Sequence, residues 1–180
     1  MAWSQDGKRL ATAGEDAAAR VWNAGSGQAL FTLSSHRGPV NAVAWSPNGK
    51  RLASAGGDRI TWIWDASSGQ SLFSLSGHER PVMSVAYSPD GKLIATAGED
   101  RTARLWSADG QAVLTLASHT DKVSGVAFSP DGRKLATASW DRTVRVYALS
   151  VEDLMKLAKS RATRAMTAEE CRKYLQVSRC

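Results

Sequence analysis

Short segments in which apolar and polar positions alternate are separated by turns along most of this chain. Residues 39–45 alternate with a period of two, which predicts a half-buried strand. Residues 46–49, Ser-Pro-Asn-Gly, form a predicted turn, because proline presets φ and Asn-Gly tolerates a positive φ. Further strands are predicted at 51–55, 60–64 and 70–75. The pattern therefore predicts a unit of four short antiparallel strands.

This unit is repeated along the chain with a nearly constant period. An aspartate recurs at intervals of 42, 42 and 41 residues, an aromatic residue follows each aspartate, and a histidine recurs at intervals of 42 and 41 residues. These markers are Asp16, Asp58, Asp100 and Asp141, then Trp22, Trp64, Trp106 and Tyr147, and finally His36, His78 and His119. A period of about 40–45 residues is typical of β-propeller blades. One such sheet cannot bury both of its faces alone, so neighbouring units are expected to stack.

The third unit resembles the WD-repeat β-propeller family. The segments that carry this resemblance are Gly77-His78, Tyr87-Ser88-Pro89-Asp90-Gly91, Leu93-Ile94-Ala95-Thr96, Asp100 and Arg104-Leu105-Trp106. The resemblance recurs in the other units and covers residues 1–148. It implies an all-β propeller of four-stranded antiparallel blades. The repeats encode four blades, which make an incomplete ring, and a short C-terminal helical extension is expected at 149–180.

The resemblance also implies a hydrogen-bonded network in each blade, which joins a histidine, a Ser or Thr on the second strand, the turn aspartate and the aromatic residue on the third strand. The implied members are His36, Ser54, Asp58 and Trp64, then His78, Thr96, Asp100 and Trp106, and then His119, Thr137 and Asp141 with Tyr147 in place of tryptophan. The first blade has Thr12, Asp16 and Trp22 but no histidine. We expect weaker networks in the first and last blades.

A set of His, Ser and Asp also invites comparison with a catalytic triad. A triad occurs once in an enzyme, whereas this set recurs in every blade with its aromatic partner, so we predict a structural role and no enzymatic activity. The sequence contains no phosphate-binding glycine loop and no metal-ligand spacing, so no cofactor is expected.

Partner-binding residues are expected where the repeats differ at equivalent loop positions. Before the turn aspartate stand Glu15, Gly57, Glu99 and Trp140, and the large aromatic residue is the outlier. Tryptophan is a frequent hot-spot residue at interfaces, although packing on an adjacent loop is the alternative role. The candidate partner-binding residues are Trp140, Met83, Lys122 and Glu99.

The remaining composition narrows the class of protein. Cys171 and Cys180 are the only cysteines, and both lie outside the repeats, which indicates a reduced, cytoplasmic protein. No apolar run approaches the roughly 18 residues that a membrane span requires. The net charge is +6, and half of this excess lies in residues 151–180, but no nucleic-acid-binding motif accompanies it.

The last thirty residues are predicted to be helical. Apolar positions in 151–159 share one helix face, with Ser150 as N-cap, and 167–175 opens with a capping box. Residues 154–161 and 166–175 are similar to the tails that close the C-terminal propellers of large bacterial signalling proteins. The tail is expected either to cover the edge of the fourth blade or to form a separate partner site.

The repeats begin inside a first strand and stop after a third strand, which leaves open blade flanks. We expect either that two copies of the chain associate through these flanks or that residues upstream of Met1 complete the array. The predicted function is a non-catalytic scaffold that binds a protein partner. The alternative is the partner- or ligand-sensing C-terminal propeller of a larger bacterial effector or NTPase signalling protein.

Overall fold

The computed structural model describes residues 1–150 and Met155, and residues 1–150 form an all-β fold. Fifteen strands form four antiparallel sheets, which confirms the predicted fold class. Three sheets have four strands, and the last described sheet has three, as expected from the repeat that stops after its third strand. The predicted helices at 151–159 and 167–175 lie outside the described residues, except for Met155.

Each sheet is a meander in which neighbours in sequence are neighbours in space. The first sheet contains β1 (Ala2–Trp3), β2 (Arg9–Ala13), β3 (Ala19–Asn23) and β4 (Ala29–Leu33). The second contains β5 (Val40–Trp45), β6 (Arg51–Gly56), β7 (Ile60–Asp65) and β8 (Ser71–Ser76). The third contains β9 (Val82–Tyr87), β10 (Leu93–Gly98), β11 (Ala103–Ser107) and β12 (Ala112–Leu116). The fourth contains β13 (Val123–Phe128), β14 (Lys134–Ser139) and β15 (Val144–Ala148).

The two faces of a sheet are buried against different neighbours. We call the face toward the following sheet the forward face; it carries Val21 in the first sheet and Ile63 in the second. The opposite face is the rear face, which carries Leu52 in the second sheet and Ile94 in the third. Val21 and Leu52 belong to one buried cluster, and Ile63 and Ile94 belong to the next. Apolar burial between sheets is therefore the main stabilising contribution within Met1–Tyr147, a single compact unit.

Polar ties between sheets supplement the apolar contacts. They are Arg9 to the Ala66 carbonyl oxygen, Arg51 Nη1 to the Ala108 carbonyl oxygen at 2.6 Å, and Trp45 Nε1 to the Ala2 carbonyl oxygen at 3.1 Å. The Arg9 guanidinium also lies 4.7 Å from the centroid of the Trp45 ring. Each tie joins one sheet to the next, so it fixes the relative position of two sheets.

The tight turn between the second and third strands has left-handed backbone in every sheet. The residues with positive φ are Ala17 (64°), Arg59 (71°), Arg101 (68°) and Arg142 (68°). A non-glycine residue adopts this conformation at a cost of about 1 kcal/mol or more. In the third sheet Asp100 Oδ1 accepts hydrogen bonds from the Thr102 backbone N–H at 3.1 Å and its hydroxyl at 2.7 Å, and these bonds offset the cost.

Candidate functional site

The histidines and the turn aspartates lie at the same end of their sheets, which we call the histidine end. It is formed by the links 34–39, 77–81 and 117–122 before each first strand, together with the turns 14–18, 57–59, 99–102 and 140–143. The opposite end carries the turns that follow the first and third strands, because the strands are antiparallel. Both the predicted network and most of the predicted partner-binding residues lie toward the histidine end.

In the third sheet a line of four side chains runs from the core to this end. Trp106 Nε1 donates to Thr96 Oγ1 over 2.9 Å. Thr96 Oγ1 lies 2.8 Å from His78 Nε2, and His78 Nδ1 lies 2.8 Å from Asp100 Oδ2. The Glu79 backbone N–H adds a hydrogen bond of 3.0 Å to the same carboxylate oxygen. The structure therefore brings together all four residues implied for this blade.

The groups at the two ends of this line determine which groups donate and which accept, because the Asp100 carboxylate can only accept and the Trp106 indole N–H can only donate. A neutral His78 therefore carries its proton on Nδ1 and presents Nε2 as an acceptor. The Thr96 hydroxyl then donates to Nε2 while its oxygen accepts from the Trp106 indole. Every polar group on the line has a partner, which is the requirement for stable burial of polar side chains.

The second sheet repeats the arrangement with serine in the central position. Ser54 Oγ accepts from Trp64 Nε1 at 2.8 Å and lies 2.8 Å from His36 Nε2. His36 Nδ1 lies 3.0 Å from Asp58 Oδ1. Burial alone would raise the pKa of Asp58, but hydrogen bonds from the Arg37 backbone N–H and His36 outweigh it and lower the pKa.

The fourth and first sheets have incomplete networks. His119 lies 2.8 Å from Thr137 through Nε2 and 2.7 Å from Asp141 through Nδ1. The Tyr147 hydroxyl is buried and has no hydrogen-bond partner among the described residues, so Thr137 receives no aromatic donor. In the first sheet, the Trp22 indole donates to Thr12 at 2.9 Å. Asp16 pairs with Arg20 there at 2.5 Å, in the absence of a histidine.

The turn aspartates are held in their ionised form. Burial alone would raise the pKa of Asp100, but hydrogen bonds from His78 and Thr102 hold that pKa well below its usual range. For Asp141 the hydrogen bond from the Thr143 side chain is the largest cause of a lowered pKa, and it outweighs partial burial. A charged carboxylate is the stronger acceptor, so ionisation strengthens the network in both sheets.

The geometry around Ser54 resembles a catalytic triad in its distances but not in its access. Ser54 and His36 are buried, and the serine oxygen also accepts the Trp64 indole proton. A nucleophile needs an open approach for its substrate, and this oxygen is enclosed between sheets. The set therefore satisfies buried polar groups, as a structural hydrogen-bond network does.

Three of the four candidate partner-binding residues meet at the histidine end, where the third sheet adjoins the fourth. Lys122 Nζ lies 3.5 Å from the centroid of the Trp140 ring and 3.8 Å from Glu99 Oε1. The Trp140 backbone N–H donates to the Lys122 carbonyl oxygen at 3.0 Å. The indole remains 62% exposed. We call Glu99, Lys122 and Trp140 the Trp140 surface.

The fourth candidate, Met83, contacts a different neighbour. Its sulfur lies 3.8 Å from Asn41 Nδ2 on the second sheet, and the same amide donates to the Val82 carbonyl oxygen at 2.8 Å. Met83 thus takes part in a tie between the second and third sheets. The comparison of the first strands singled it out because Asn41 and Ser124 stand at the equivalent positions, but it gave no sign that Asn41 reaches across to it.

The comparisons with known proteins identify the repeat. A family model described as "WD domain, G-beta repeat" matches residues 1–23, 27–65, 69–107 and 110–148. The chain belongs to the WD40 repeat family. A "Periodic tryptophan protein 2 homolog" of Dictyostelium discoideum is 46% identical over 43 residues, which are 24% of this chain and 5% of that protein. The chain therefore covers only a small part of that relative's length, about one WD40 repeat.

Metal sites and membrane-spanning helices are two other possibilities for the described part of the chain. No group of three or more His, Cys, Asp or Glu side chains there is placed to hold a metal ion. No helix in the same part is long and apolar enough to cross a membrane. The WD40 blades themselves supply the features on which a functional proposal can rest.

Proposed function

We propose that this WD40 chain is a non-catalytic protein-interaction scaffold that binds its partner through the Trp140 surface. The observation that carries the proposal is an aromatic side chain that is 62% exposed yet held in place by Lys122. WD40 proteins generally act as protein-binding scaffolds, which supports the same class of function.

Holding the Trp140 indole in place lowers the free-energy cost of ordering it when a partner binds. A free tryptophan on a loop loses rotamer freedom when a partner binds it, and that loss weakens binding. Here the ammonium of Lys122 stacks on the ring and Glu99 lies near the ammonium, so the indole is already positioned. Aromatic residues of this kind often contribute most of the binding energy at an interface. The partner is expected to present an apolar pocket for the indole and polar groups around it.

The test uses the full 180-residue chain as bait with Trp140→Ala beside the parent. Leu72→Ala is the matched control, because Leu72 is an exposed apolar residue on the outer strand β8. A partner captured by the parent and by Leu72→Ala is expected to be lost with Trp140→Ala. With the purified partner, the Kd should rise at least about tenfold for Trp140→Ala, which is about 1.4 kcal/mol. An unchanged Kd would rule out the Trp140 surface.

A second proposal is that the chain is the sensing part of a larger bacterial effector or NTPase signalling protein. It is supported by the similarity of residues 154–161 and 166–175 to the tails of such proteins, and these residues lie outside the described part of the chain. A cytoplasmic location is proposed with it, from the two cysteines outside the repeats. The nucleotide sequence upstream of Met1 tests it, since an in-frame effector domain is expected there. A stop codon directly upstream would contradict it.

A further inference from the structure

Two blade faces in the described residues are not covered by another described blade. On the forward face of the fourth sheet, Val144 and Val146 are 68% and 63% exposed. On the rear face of the first sheet, Trp3 is 60% exposed, and Leu10 and Trp22 are half-buried. Apolar side chains exposed together in this way mark a surface that a partner covers.

The two open faces carry the same repeat positions as the faces that are buried between consecutive sheets of the chain. Val146 occupies the repeat position of Val21, Ile63 and Leu105, which are buried on the forward faces of the other sheets. The rear face of the first sheet carries the positions of Leu52 and Trp64, which belong to the buried cluster between the first two sheets. One open face therefore has the chemistry of a forward face and the other has the chemistry of a rear face.

The open faces also carry side chains at the repeat positions that form the polar ties between sheets. Trp3 occupies the position of Trp45, whose indole donates to a carbonyl oxygen of the preceding sheet. The Trp3 indole makes no hydrogen bond to any described residue, so this donor is available. The exposed Lys134 occupies the position of Arg9 and Arg51, which reach carbonyl oxygens of the following sheet.

The acceptor that Lys134 would need is present on the rear face of the first sheet. Ala24 follows β3 at the position of Ala66 and Ala108, whose carbonyl oxygens accept from Arg9 and Arg51. A shallow pocket lined by Trp3, Leu10, Thr12, Trp22, Asn23, Ala24 and Gly27 lies on the rear face of the first sheet.

We propose that the fourth blade of one copy docks with its forward face on the rear face of the first blade of a second copy. Val146 then enters the pocket beside Leu10 and Trp22, as Val21 packs against the second sheet. Lys134 points to the Ala24 carbonyl oxygen of the second copy. The contact is head-to-tail, because two different faces meet. A second copy is the occupant because one chain supplies both halves in the register of its internal interfaces.

The first experiment measures the mass of the purified 180-residue chain in solution at micromolar concentrations by sedimentation velocity. The parent is expected to form a species of at least twice the monomer mass. Val146→Glu on the forward face and Trp3→Glu on the rear face should each weaken association at least about tenfold, since each places a carboxylate in an apolar contact. Val113→Glu is the matched control, because Val113 is an exposed valine on the outer strand β12, and this variant should associate like the parent.

The second experiment distinguishes a head-to-tail contact from other modes of association. Val146→Glu keeps an intact rear face and Trp3→Glu keeps an intact forward face, so an equimolar mixture is expected to form a pair containing one of each. A contact between two identical faces would instead leave one of the single variants associated with itself. Circular dichroism of each variant checks that it is folded, and Val144→Glu replaces Val146→Glu if the latter is not.

Several results would overturn the proposal. A monomeric parent would show that a second copy does not cover the two faces. Association that survives both single variants, or that Val113→Glu disrupts equally, would place the contact elsewhere. Failure of the mixed variants to pair would exclude the head-to-tail arrangement. None of these results depends on the Trp140 surface, so the proposed partner binding is tested separately.

Discussion

The clearest consequence of the blade network concerns the hydroxyl at its centre in the third sheet. Thr96→Val keeps the shape of the side chain and replaces the hydroxyl with a methyl group. The change leaves Trp106 Nε1 without an acceptor and His78 Nε2 without a donor, and all three residues are buried. A buried polar group left unpaired costs about 1–3 kcal/mol, so the loss of both bonds should lower the free energy of unfolding by about 2–6 kcal/mol.

The fourth sheet provides the matched comparison. Thr137 is equally buried but bonds only to His119, because Tyr147 makes no hydrogen bond to it. Thr137→Val therefore leaves one group unpaired and should cost about 1–3 kcal/mol. Thr12→Val in the first sheet should cost least, since Thr12 is half-buried and bonds only to Trp22.

The assay is guanidinium denaturation at neutral pH followed by tryptophan fluorescence, with hydrogen exchange to assign the loss to a sheet. Exchange is needed because repeat arrays can unfold in parts, so that a single midpoint does not describe every blade. Thr96→Val is expected to raise exchange most in β10 and β11. Equal losses for Thr96→Val and Thr137→Val, or a loss below about 0.5 kcal/mol for Thr96→Val, would refute the central role of the hydroxyl.

Two further predictions concern pH and the ties between sheets. The pKa values of three turn aspartates are lowered in the folded protein; these are Asp58, Asp100 and Asp141. The stability that they contribute is therefore fully present above the unfolded pKa of about 3.9. It is lost as the pH falls from there toward the folded pKa. Measuring the free energy of unfolding at decreasing pH should show this loss. The Asp100→Asn variant should have a weaker dependence on pH, whereas the exposed control Glu15→Gln should behave like the parent. A free energy of unfolding that does not change with pH below about 4 would contradict the assignment. Arg51→Met should lower the free energy of unfolding by about 1–2 kcal/mol, because the hydrogen bond to the Ala108 carbonyl oxygen is lost. Lys50→Met, at the adjacent exposed position, should change it by less than about 0.5 kcal/mol. Equal effects of the two variants in thermal denaturation would show that the tie contributes nothing.

The sequence was sufficient for the blades because their signals are local and repeated. Strand alternation and the turn residues at 46–49 predict strands at 39–45 and 51–55. Each predicted bound lies within one residue of the observed bound of β5 or β6. The members of each network could be named because the resemblance assigns each one a fixed repeat position, and the structure brings them together in the second and third sheets.

Other features depend on contacts that the residue types at single repeat positions do not specify, and they could not be read from the sequence. The tie from Arg51 to Ala108 joins residues 57 positions apart in the chain. A basic residue recurs at this repeat position, except for Leu93 in the third sheet, but the pattern does not indicate which carbonyl oxygen it reaches. The left-handed φ of Arg101 follows from the hydrogen bonds of its neighbour Asp100, since arginine itself does not favour that conformation. The contact of Lys122 with Trp140 likewise depends on the path of two loops at one end of a sheet.

The role of the histidine end in partner binding can be measured directly by hydrogen exchange of the chain with and without its captured partner. Binding through the Trp140 surface predicts added protection in the peptides that span 99–102, 117–122 and 140–143. The turns at the opposite end, including 46–49 and 88–91, should exchange at unchanged rates. Protection confined to the opposite end, with none around Trp140, would contradict the proposed function.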